Sequence, residues 1–308
     1  MSKTALLFAG QGAQVVGMGR DLAEKFPSAN AWFDRANAAL GYDLTKICFH
    51  GSDAELTKTE NAQPAIFLVS WVAFQLLKEQ APSLKFDATA GLSLGEFTAL
   101  TAADAMSFED GLRVVRQRGK FMQQACEATK GGMAAVIGVD ETGTREVCAQ
   151  AGVVLANLNC PGQLVISGEE ENILHACDLA KAKGARKAIP LPVAGAYHSP
   201  LMAGAQPKLL AELTRVKWSP PAVPVISNVT AQPHGAPDEI SARLVEQVTS
   251  SVLWEKSMRH LLAQGFTRFI ELGPGTALSG FMKRIDKGAQ MLNVADVASL
   301  ETTVKALV

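Results

Sequence analysis

The chain has 308 residues, with 29 Lys and Arg against 30 Asp and Glu, a formal net charge of −1 at pH 7 and a hydrophobic fraction of 48%. Near-neutral charge argues against a nucleic-acid-binding protein that depends on a basic surface, and the hydrophobic content argues against a disordered chain. Length and composition therefore predict a folded protein with a large core.

The cysteines and the N-terminus indicate where the protein works. The five cysteines are widely spaced and include no Cys-x-x-Cys pair, which argues against a disulfide framework or a zinc site and favours a reducing compartment. The apolar stretch at the N-terminus is too short for a signal peptide, and no stretch approaches the ~20 apolar residues of a membrane span. We therefore expect a cytoplasmic protein with no membrane association.

The first part of the chain has the order of elements that is typical of a parallel α/β sheet. An apolar run at 4–8 stops at two nearby glycines and predicts a buried strand that enters a glycine-rich turn. Helices are predicted around 19–41 and 63–79, and a second strand over 87–90 leads into another tight turn and a helix. Strand, turn and helix in this order predict parallel strands joined by helical connections.

The region 128–196 has a different order of predicted helices and strands, which predicts a small inserted subdomain. Its elements follow the order βαββαβ, which is the ferredoxin-like pattern. They are predicted, in chain order, over 133–139, 141–151, 153–159, 163–167, 169–183 and 188–193. The α/β pattern then resumes, so a large subdomain is predicted from 1–127 and 197–308. The elements predicted after the insertion are helices near 200–214 and 240–263 and strands over 223–227 and 268–272.

The segment Gly91-Leu92-Ser93-Leu94-Gly95 matches the pattern Gly-x-Ser-x-Gly. In this pattern a sharp turn between a strand and a helix exposes the serine oxygen, and the small residues on either side let the backbone bend. The amide of Leu94 would then point toward an oxygen that becomes anionic during acyl transfer. Ser93 is a candidate nucleophile on this basis, and the alternative is a serine that only caps the helix of an ordinary turn.

A serine nucleophile needs a base, and His198 is the histidine whose context fits that role. It follows an apolar segment bent by proline and glycine and precedes Ser199-Pro200, a typical helix start. A helix N-terminus disfavours the imidazolium, so the ring is expected to be neutral and able to accept a proton. The alternative is a histidine that is merely hydrogen-bonded at a helix start. Of the other histidines, His175 in a predicted helix and His260 near an exposed arginine are expected to be structural or solvated, and His50 and His234 are placed in polar loops.

Arg118 lies in an apolar stripe of the helix that is predicted over 107–126. Its neighbours three and four positions away are Val114, Val115, Phe121 and Met122, all apolar. An arginine in such a stripe must extend to the surface, pair with an internal acid or bind a ligand anion. Its planar guanidinium suits a carboxylate, because it donates two parallel hydrogen bonds. The residues alone leave the structural and the ligand-binding interpretations open.

Two other features carry less weight. Gly10-Gln11-Gly12 lacks the third glycine of a dinucleotide-binding motif, and no Walker lysine follows, so nucleotide binding is not supported. A basic cluster at a helix end is interpreted as a solvated helix terminus, with a phosphate or an acidic partner as the alternative. This cluster consists of Lys181, Lys183, Arg186 and Lys187.

Taken together, the motifs resemble those of the malonyl-CoA:acyl-carrier-protein transacylase family of fatty-acid synthesis, over nearly the whole chain. Both the order and the spacing of the matching segments fit. These segments are Gly10-Gln11-Gly12-Ala13-Gln14, the turn at Ser93, Arg116-Gln117-Arg118-Gly119-Lys120-Phe121-Met122, Asn157-Leu158-Asn159-Cys160-Pro161-Gly162-Gln163, Tyr197-His198-Ser199-Pro200-Leu201-Met202, Gln247 with Val252 and Trp254, and Glu271-Leu272-Gly273-Pro274-Gly275.

The resemblance implies an α/β fold in which an α/β-hydrolase-like large subdomain with a parallel sheet is interrupted by the ferredoxin-like one. It implies Ser93 as the nucleophile, His198 as its base and Arg118 as the residue that binds the malonyl carboxylate. Malonyl-CoA and acyl carrier protein are the implied partners, and no metal or cofactor is implied. A monomer is expected.

Three further roles follow from the same resemblance. The backbone amides of Gln11 and Leu94 would form the oxyanion hole. The backbone carbonyl of Gln247 would bind the other ring nitrogen of His198. Members of this family have no acidic third residue behind the histidine, and the sequence offers no obvious aspartate for that position.

The sequence departs from the family pattern at two positions. Leu92 stands where the family usually has a histidine directly before the nucleophile; because that histidine is not the base, we expect the chemistry to survive. Ser251 replaces a usual proline, which predicts a less rigid loop after Gln247. In contrast, Tyr197 agrees with the malonyl-selective members, since a bulky ring before His198 leaves little room for an α-methyl group.

Three rival functions remain. A serine hydrolase would explain the turn at Ser93 but not an arginine in an apolar stripe. A catalytically silent docking subunit is suggested by Leu92 and opposed by the intact Ser93, His198 and Arg118. Transfer of another dicarboxylic acyl group is excluded only weakly. The pathway, fatty-acid or polyketide synthesis, is left open.

Overall fold

The computed structural model describes residues 3–307, and within them the strands form one five-stranded and one four-stranded sheet. The strands are β1 (Lys3–Phe8), β2 (Ala88–Gly91), β3 (Gly131–Ile137), β4 (Val154–Cys160), β5 (Gln163–Glu169), β6 (Lys187–Pro190), β7 (Val225–Ile226), β8 (Phe266–Leu272) and β9 (Gln290–Val294).

Helices cover the sheets and connect the strands. They are α1 (Arg20–Lys25), α2 (Pro27–Leu40), α3 (Leu44–His50), α4 (Asp53–Thr57), α5 (Thr59–Gln80), α6 (Gly95–Ala102), α7 (Phe108–Ala128), α8 (Glu141–Ala151), α9 (Glu170–Ala182), a 3-10 helix (Pro200–Ala205), α10 (Gln206–Leu213), α11 (Pro237–Gln247), α12 (Trp254–Ala263), α13 (Ala277–Ile285) and α14 (Val297–Leu307). Within residues 3–307, none is long and apolar enough to cross a membrane.

The larger sheet is parallel throughout, in the order β7-β2-β1-β8-β9. Its register places Phe8, the last residue of β1, opposite both Gly91 and Leu272, the last residues of β2 and β8. Because the carboxyl ends of these three central strands are level, the turns that follow them emerge side by side at one edge of the sheet. Ligands bind at this edge in open α/β sheets.

The smaller sheet is antiparallel, in the order β4-β5-β3-β6. With α8 and α9 packed on it, this is the βαββαβ arrangement that the sequence predicted, with its own buried cluster that includes Val136, Leu155 and Ile166. The parallel sheet and the separate antiparallel sheet confirm the predicted fold class. The boundaries 1–127, 128–196 and 197–308 stay a prediction.

Several predicted elements differ from the structure. The helix predicted over 19–41 is interrupted at Phe26, where Pro27 starts α2. The helix predicted over 240–263 is two helices, because the intervening segment bonds to β4 instead: Val252 donates to the Ala156 carbonyl at 2.8 Å. The first six residues of the helix predicted near 200–214 form a 3-10 helix, and the strand predicted over 223–227 contains only two residues. Elements that the sequence reading did not predict are α3, α4, α13, α14 and β9.

Candidate active site

The turn between β2 and α6 has a strained backbone. Ser93 has a φ of 54°, in the left-handed region that side chains other than glycine rarely adopt. A Cβ atom on Gly91 would lie 1.9 Å from the Gly95 carbonyl carbon, and one on Gly95 would lie 2.3 Å from the Phe8 carbonyl oxygen. Both glycines are therefore required for the turn. Ser93 is not the cap of α6, since Leu94 occupies that position.

Asn228 fixes the conformation of this turn, although no sequence motif marked this residue. Its side-chain oxygen accepts a hydrogen bond from the Ser93 amide at 2.6 Å, and its side-chain nitrogen donates to the Gly91 carbonyl at 2.8 Å. The residue is 1% exposed. Because buried backbone groups need partners, these two bonds stabilise the strained turn from outside the local chain.

His198 lies against Ser93. Its Nε2 atom is 2.8 Å from Ser93 Oγ, and its Nδ1 atom is 2.8 Å from the backbone carbonyl oxygen of Gln247. A carbonyl only accepts hydrogen bonds, so Nδ1 carries the proton and the lone pair of Nε2 faces the hydroxyl. Burial, and then the positive charge of Arg118, lowers the pKa of His198 to about 4. The ring is neutral at pH 7 and can accept a proton.

Arg118 is buried on α7 with its guanidinium directed at the same hydroxyl. Its Nη2 donates to Ser93 Oγ at 3.1 Å and to the Gln247 side-chain oxygen at 3.0 Å, and its Nη1 donates to the Gln63 side-chain oxygen at 2.8 Å. Burial lowers its pKa to about 10, so it is still a cation at pH 7. Among residues 3–307 it forms no ion pair, and its Nε atom has no hydrogen-bond partner. A buried cation without a carboxylate is costly unless a ligand supplies one.

Gln247, at the end of α11, contacts three parts of the site. Besides its carbonyl at His198, its side-chain nitrogen donates to the Ser93 carbonyl at 3.0 Å and to Glu96 Oε2 at 2.7 Å. Only the backbone carbonyl contact was expected from the family resemblance; the side-chain contacts and Glu96 were not. Glu96 is the third residue after Ser93 and lies in a stretch of α6 that is buried throughout, which was the signal available.

Gln11 and Leu94 lie at neighbouring turns of the sheet edge, after β1 and β2. Within the part of the chain that the structure describes, neither backbone amide donates to a protein acceptor. The Gln11 side chain is part of a row of polar groups that includes Tyr197, the aromatic residue before His198. The Gln11 side-chain nitrogen lies 3.5 Å from the Tyr197 hydroxyl, which is 2.6 Å from the Thr59 hydroxyl. Burial raises the pKa of Tyr197 to about 12.

A cavity of about 340 Å³ connects these residues and lies between the two sheets. Ser93, His198 and Arg118 line it together, and Leu92 forms part of the wall. The antiparallel sheet contributes Met133, Asn157, Asn159 and Val165. Of the site residues predicted from the sequence, Gln11, Ser93, Arg118 and His198 line this cavity, whereas Leu94 and Gln247 do not. The apolar part of the lining suits an acyl group.

The remaining histidines do not line the cavity. His50, His175 and His260 lie on α3, α9 and α12. His234 lies in a loop, as expected, but its side chain is fully buried and its Nε2 lies 2.6 Å from Glu96 Oε1. The expectation that His50 lies in a polar loop was wrong, because it is the last residue of α3.

Two other expectations can be compared with the structure. The Ser251 hydroxyl donates to the Leu155 carbonyl of β4, so a side-chain bond anchors the loop where the family pattern has a proline. In the basic cluster, Lys181 pairs with Asp178 at 3.3 Å and Lys183 pairs with Glu146, all on exposed surface. Paired, exposed lysines agree with the interpretation as a solvated helix terminus.

Comparison with known proteins places the chain among acyltransferases. The family model described as "Acyl transferase domain" matches residues 5–303. The malonyl CoA-acyl carrier protein transacylase of Bacillus subtilis (strain 168) is 43% identical over 312 residues, which cover 100% of this chain and 98% of that protein. Its namesake in Escherichia coli (strain K12) is 41% identical over 292 residues, or 92% and 93% of the two chains.

The solved structures that superpose well on this chain have names of the same kind as these relatives. The acyl-carrier-protein-S-malonyltransferase from Bartonella henselae superposes with a TM-score of 0.95 at 37% identity, covering 99% of each chain. A malonyl-transacylase solved in complex with a type II PKS acyl-carrier protein superposes with a TM-score of 0.96 at 36% identity, covering 99% of this chain and 100% of that one.

Proposed function

The chain belongs to the acyl transferase domain family, and we propose that it transfers the malonyl group of malonyl-CoA to the phosphopantetheine thiol of acyl carrier protein. One observation carries the choice of acyl group: Arg118, a buried cation with no acidic partner among residues 3–307, lies 3.1 Å from Ser93 Oγ. A malonyl group on Ser93 places a carboxylate near this guanidinium, which can bind it through two parallel hydrogen bonds.

In the first half-reaction, Ser93 Oγ attacks the thioester carbonyl carbon while His198 Nε2 accepts the hydroxyl proton. The amides of Gln11 and Leu94 are assigned to the oxygen that becomes negative, where losing one such donor typically costs about 100- to 1000-fold in rate. The bond from carbon to sulfur then breaks, and His198 returns the proton to the departing CoA sulfur. The product is a malonyl ester on Ser93.

In the second half-reaction, the phosphopantetheine thiol of acyl carrier protein takes the place of CoA. His198 removes the thiol proton, and the sulfur attacks the ester carbonyl. The bond from carbon to Ser93 Oγ breaks, and His198 protonates that oxygen. The carbonyl of Gln247 stabilises the protonated ring throughout, because it accepts the hydrogen bond from Nδ1. The chemistry needs no metal or cofactor, and none is assigned.

The proposal also covers the cellular location and the oligomeric state of the protein. A cytoplasmic location agrees with the five cysteines, which are all free thiols buried in the fold. We also retain the monomer as a proposal.

Mass spectrometry of the protein mixed with malonyl-CoA tests the proposal directly. The wild type is expected to carry one malonyl group, which disappears on addition of phosphopantetheine-bearing carrier protein and is absent in Ser93→Ala. Ser28→Ala is the control, because the hydroxyl of this serine on α2 donates to Glu79 and does not line the cavity, so the variant is expected to leave the adduct intact. An unmodified wild type would overturn the scheme, and an ester that water removes before carrier protein is added would indicate a hydrolase.

A further inference from the structure

A buried carboxylate lies behind the nucleophile, and the mechanism above does not use it. Glu96 is fully buried on α6. Its Oε2 accepts from the Asn228 amide at 3.0 Å and from the Gln247 side chain at 2.7 Å, and its Oε1 lies 2.6 Å from His234 Nε2. Satisfied contacts on both oxygens are what a buried carboxylate requires, because an unpaired one is strongly unfavourable.

Glu96 determines which way the Gln247 side-chain amide points. The amide nitrogen of Gln247 faces two acceptors, Glu96 Oε2 and the Ser93 carbonyl, and so its oxygen faces the Arg118 Nη2 donor at 3.0 Å. In the reverse orientation the amide oxygen would face a carboxylate and the amide nitrogen would face a guanidinium, which pairs acceptor with acceptor and donor with donor.

We propose that Glu96, fixed by His234, is a positioning residue that acts through the side chain of Gln247 to orient Arg118 for a carboxylate-bearing acyl group. Gln247 is the only residue in residues 3–307 whose side chain hydrogen-bonds to the side chains of both Glu96 and Arg118. The opposite charges of Glu96 and Arg118 attract across it, which adds to the orientation. The same residue binds His198 through its carbonyl, so the network reaches the base as well.

The inference rests on the proposed function, and its test compares two acyl groups. Acetyl-CoA has no carboxylate, so the ratio of kcat/KM for malonyl-CoA to that for acetyl-CoA reports how well Arg118 is oriented. We expect Glu96→Gln to lower this ratio about tenfold, because its neutral amide oxygen holds the Gln247 side chain more weakly than a carboxylate does and no longer attracts the Arg118 cation.

Variants of His234 test the network without changing Glu96 itself. His234→Leu removes the donor to Glu96 and is expected to lower the ratio in the same direction. His234→Gln can present an amide nitrogen near the position of Nε2 and is expected to restore most of the ratio. Thr101→Val is the control: it removes a buried hydroxyl from the same helix, and should leave the ratio unchanged. Within residues 3–307 this hydroxyl bonds only to the Phe97 carbonyl.

The outcomes separate the inference from a general effect on folding. A lower ratio in Glu96→Gln and His234→Leu, with recovery in His234→Gln, supports it. If Glu96→Gln does not fold, the comparison of the two His234 variants decides alone. A ratio that stays the same or rises, while thermal midpoints fall, would show that Glu96 only stabilises the fold and would overturn the inference. A wild type without malonyl transfer would instead overturn the proposed function, and the inference with it.

Discussion

Arg118 Nη2 lies 3.1 Å from Ser93 Oγ, although the two residues are on different helix-strand units and are 25 positions apart in the chain. The hydroxyl is therefore shared between a buried cation on one side and the neutral ring of His198 on the other. If Arg118 binds the acyl carboxylate as proposed, that binding takes place within one hydrogen bond of the Ser93 oxygen that would form the ester.

Replacing Arg118 is expected to affect malonyl transfer much more than acetyl transfer. Arg118→Ala removes charge-assisted hydrogen bonds to the malonyl carboxylate, which are worth on the order of 1.5–3 kcal/mol, or roughly 10- to 150-fold in kcat/KM. Steady-state transfer from both acyl-CoAs measures the difference. Arg116→Ala is the control, because this arginine on the same helix stacks on Tyr42 at 4.8 Å and does not line the cavity. Equal losses for both acyl groups would assign Arg118 to the fold.

The pH dependence is expected to reflect the lowered pKa of His198. The ring loses its function as a base only when it is protonated, so acyl-enzyme formation should stay high as the pH falls and should halve near pH 4 rather than near 6.5. Stopped-flow measurement of the acylation rate against pH tests this. Circular dichroism at each pH shows whether the protein is still folded. Removal of the Arg118 charge raises the pKa of His198, so the acid limb for acetyl-CoA should move to higher pH in Arg118→Ala. A wild-type limb near 6.5 would contradict the burial of a neutral ring.

Loss of Asn228 is expected to weaken both the turn and the reaction. Asn228→Ala leaves the Ser93 amide and the Gly91 carbonyl without their side-chain partners, which costs about 1–3 kcal/mol in the free energy of unfolding. Urea denaturation measures the stability, and acylation by malonyl-CoA measures the geometry. In Asn61→Ala, which removes a side-chain bond to the Glu55 carbonyl away from the site, acylation should match the wild type. Unchanged acylation in Asn228→Ala would show that the turn retains its shape unaided.

Two glycine substitutions are expected to have opposite effects. Gly91→Ala would place its Cβ 1.9 Å from the Gly95 carbonyl carbon, and backbone cannot yield as a side-chain end can, so we expect loss of the turn and of acylation. Gly280→Ala is within α13 and meets nothing within 4 Å, so it should raise the free energy of unfolding by about 0.5–1 kcal/mol. Urea denaturation measures the free energy of unfolding of both variants, and reaction with malonyl-CoA measures their acylation. A stable, active Gly91→Ala would show that the turn can open without cost.

Much of the fold follows from local patterns. The βαββαβ order between β3 and β6 was predictable because each element has its own apolar periodicity and turn residues. The break between α11 and α12 was not, since the segment has no strong breaker of its own and leaves the helix to bond to β4, a contact between residues almost 100 positions apart. Tertiary hydrogen bonds outweighed local preference there.

The site residues also fall into two groups. Some can be predicted from their neighbours in the sequence, and others can be identified only from their contacts in the folded protein. Ser93 between two glycines and Arg118 in an apolar stripe are evident from the sequence, because steric limits and burial of charge act over a few positions. Glu96, Asn228 and His234 became functional candidates only when the chain was folded: Glu96 meets His234 across 138 positions, and Asn228 meets the Ser93 amide across 135. Buried polar groups need partners, but which groups are buried together is decided by how the sheets and helices pack, and no local rule specifies that.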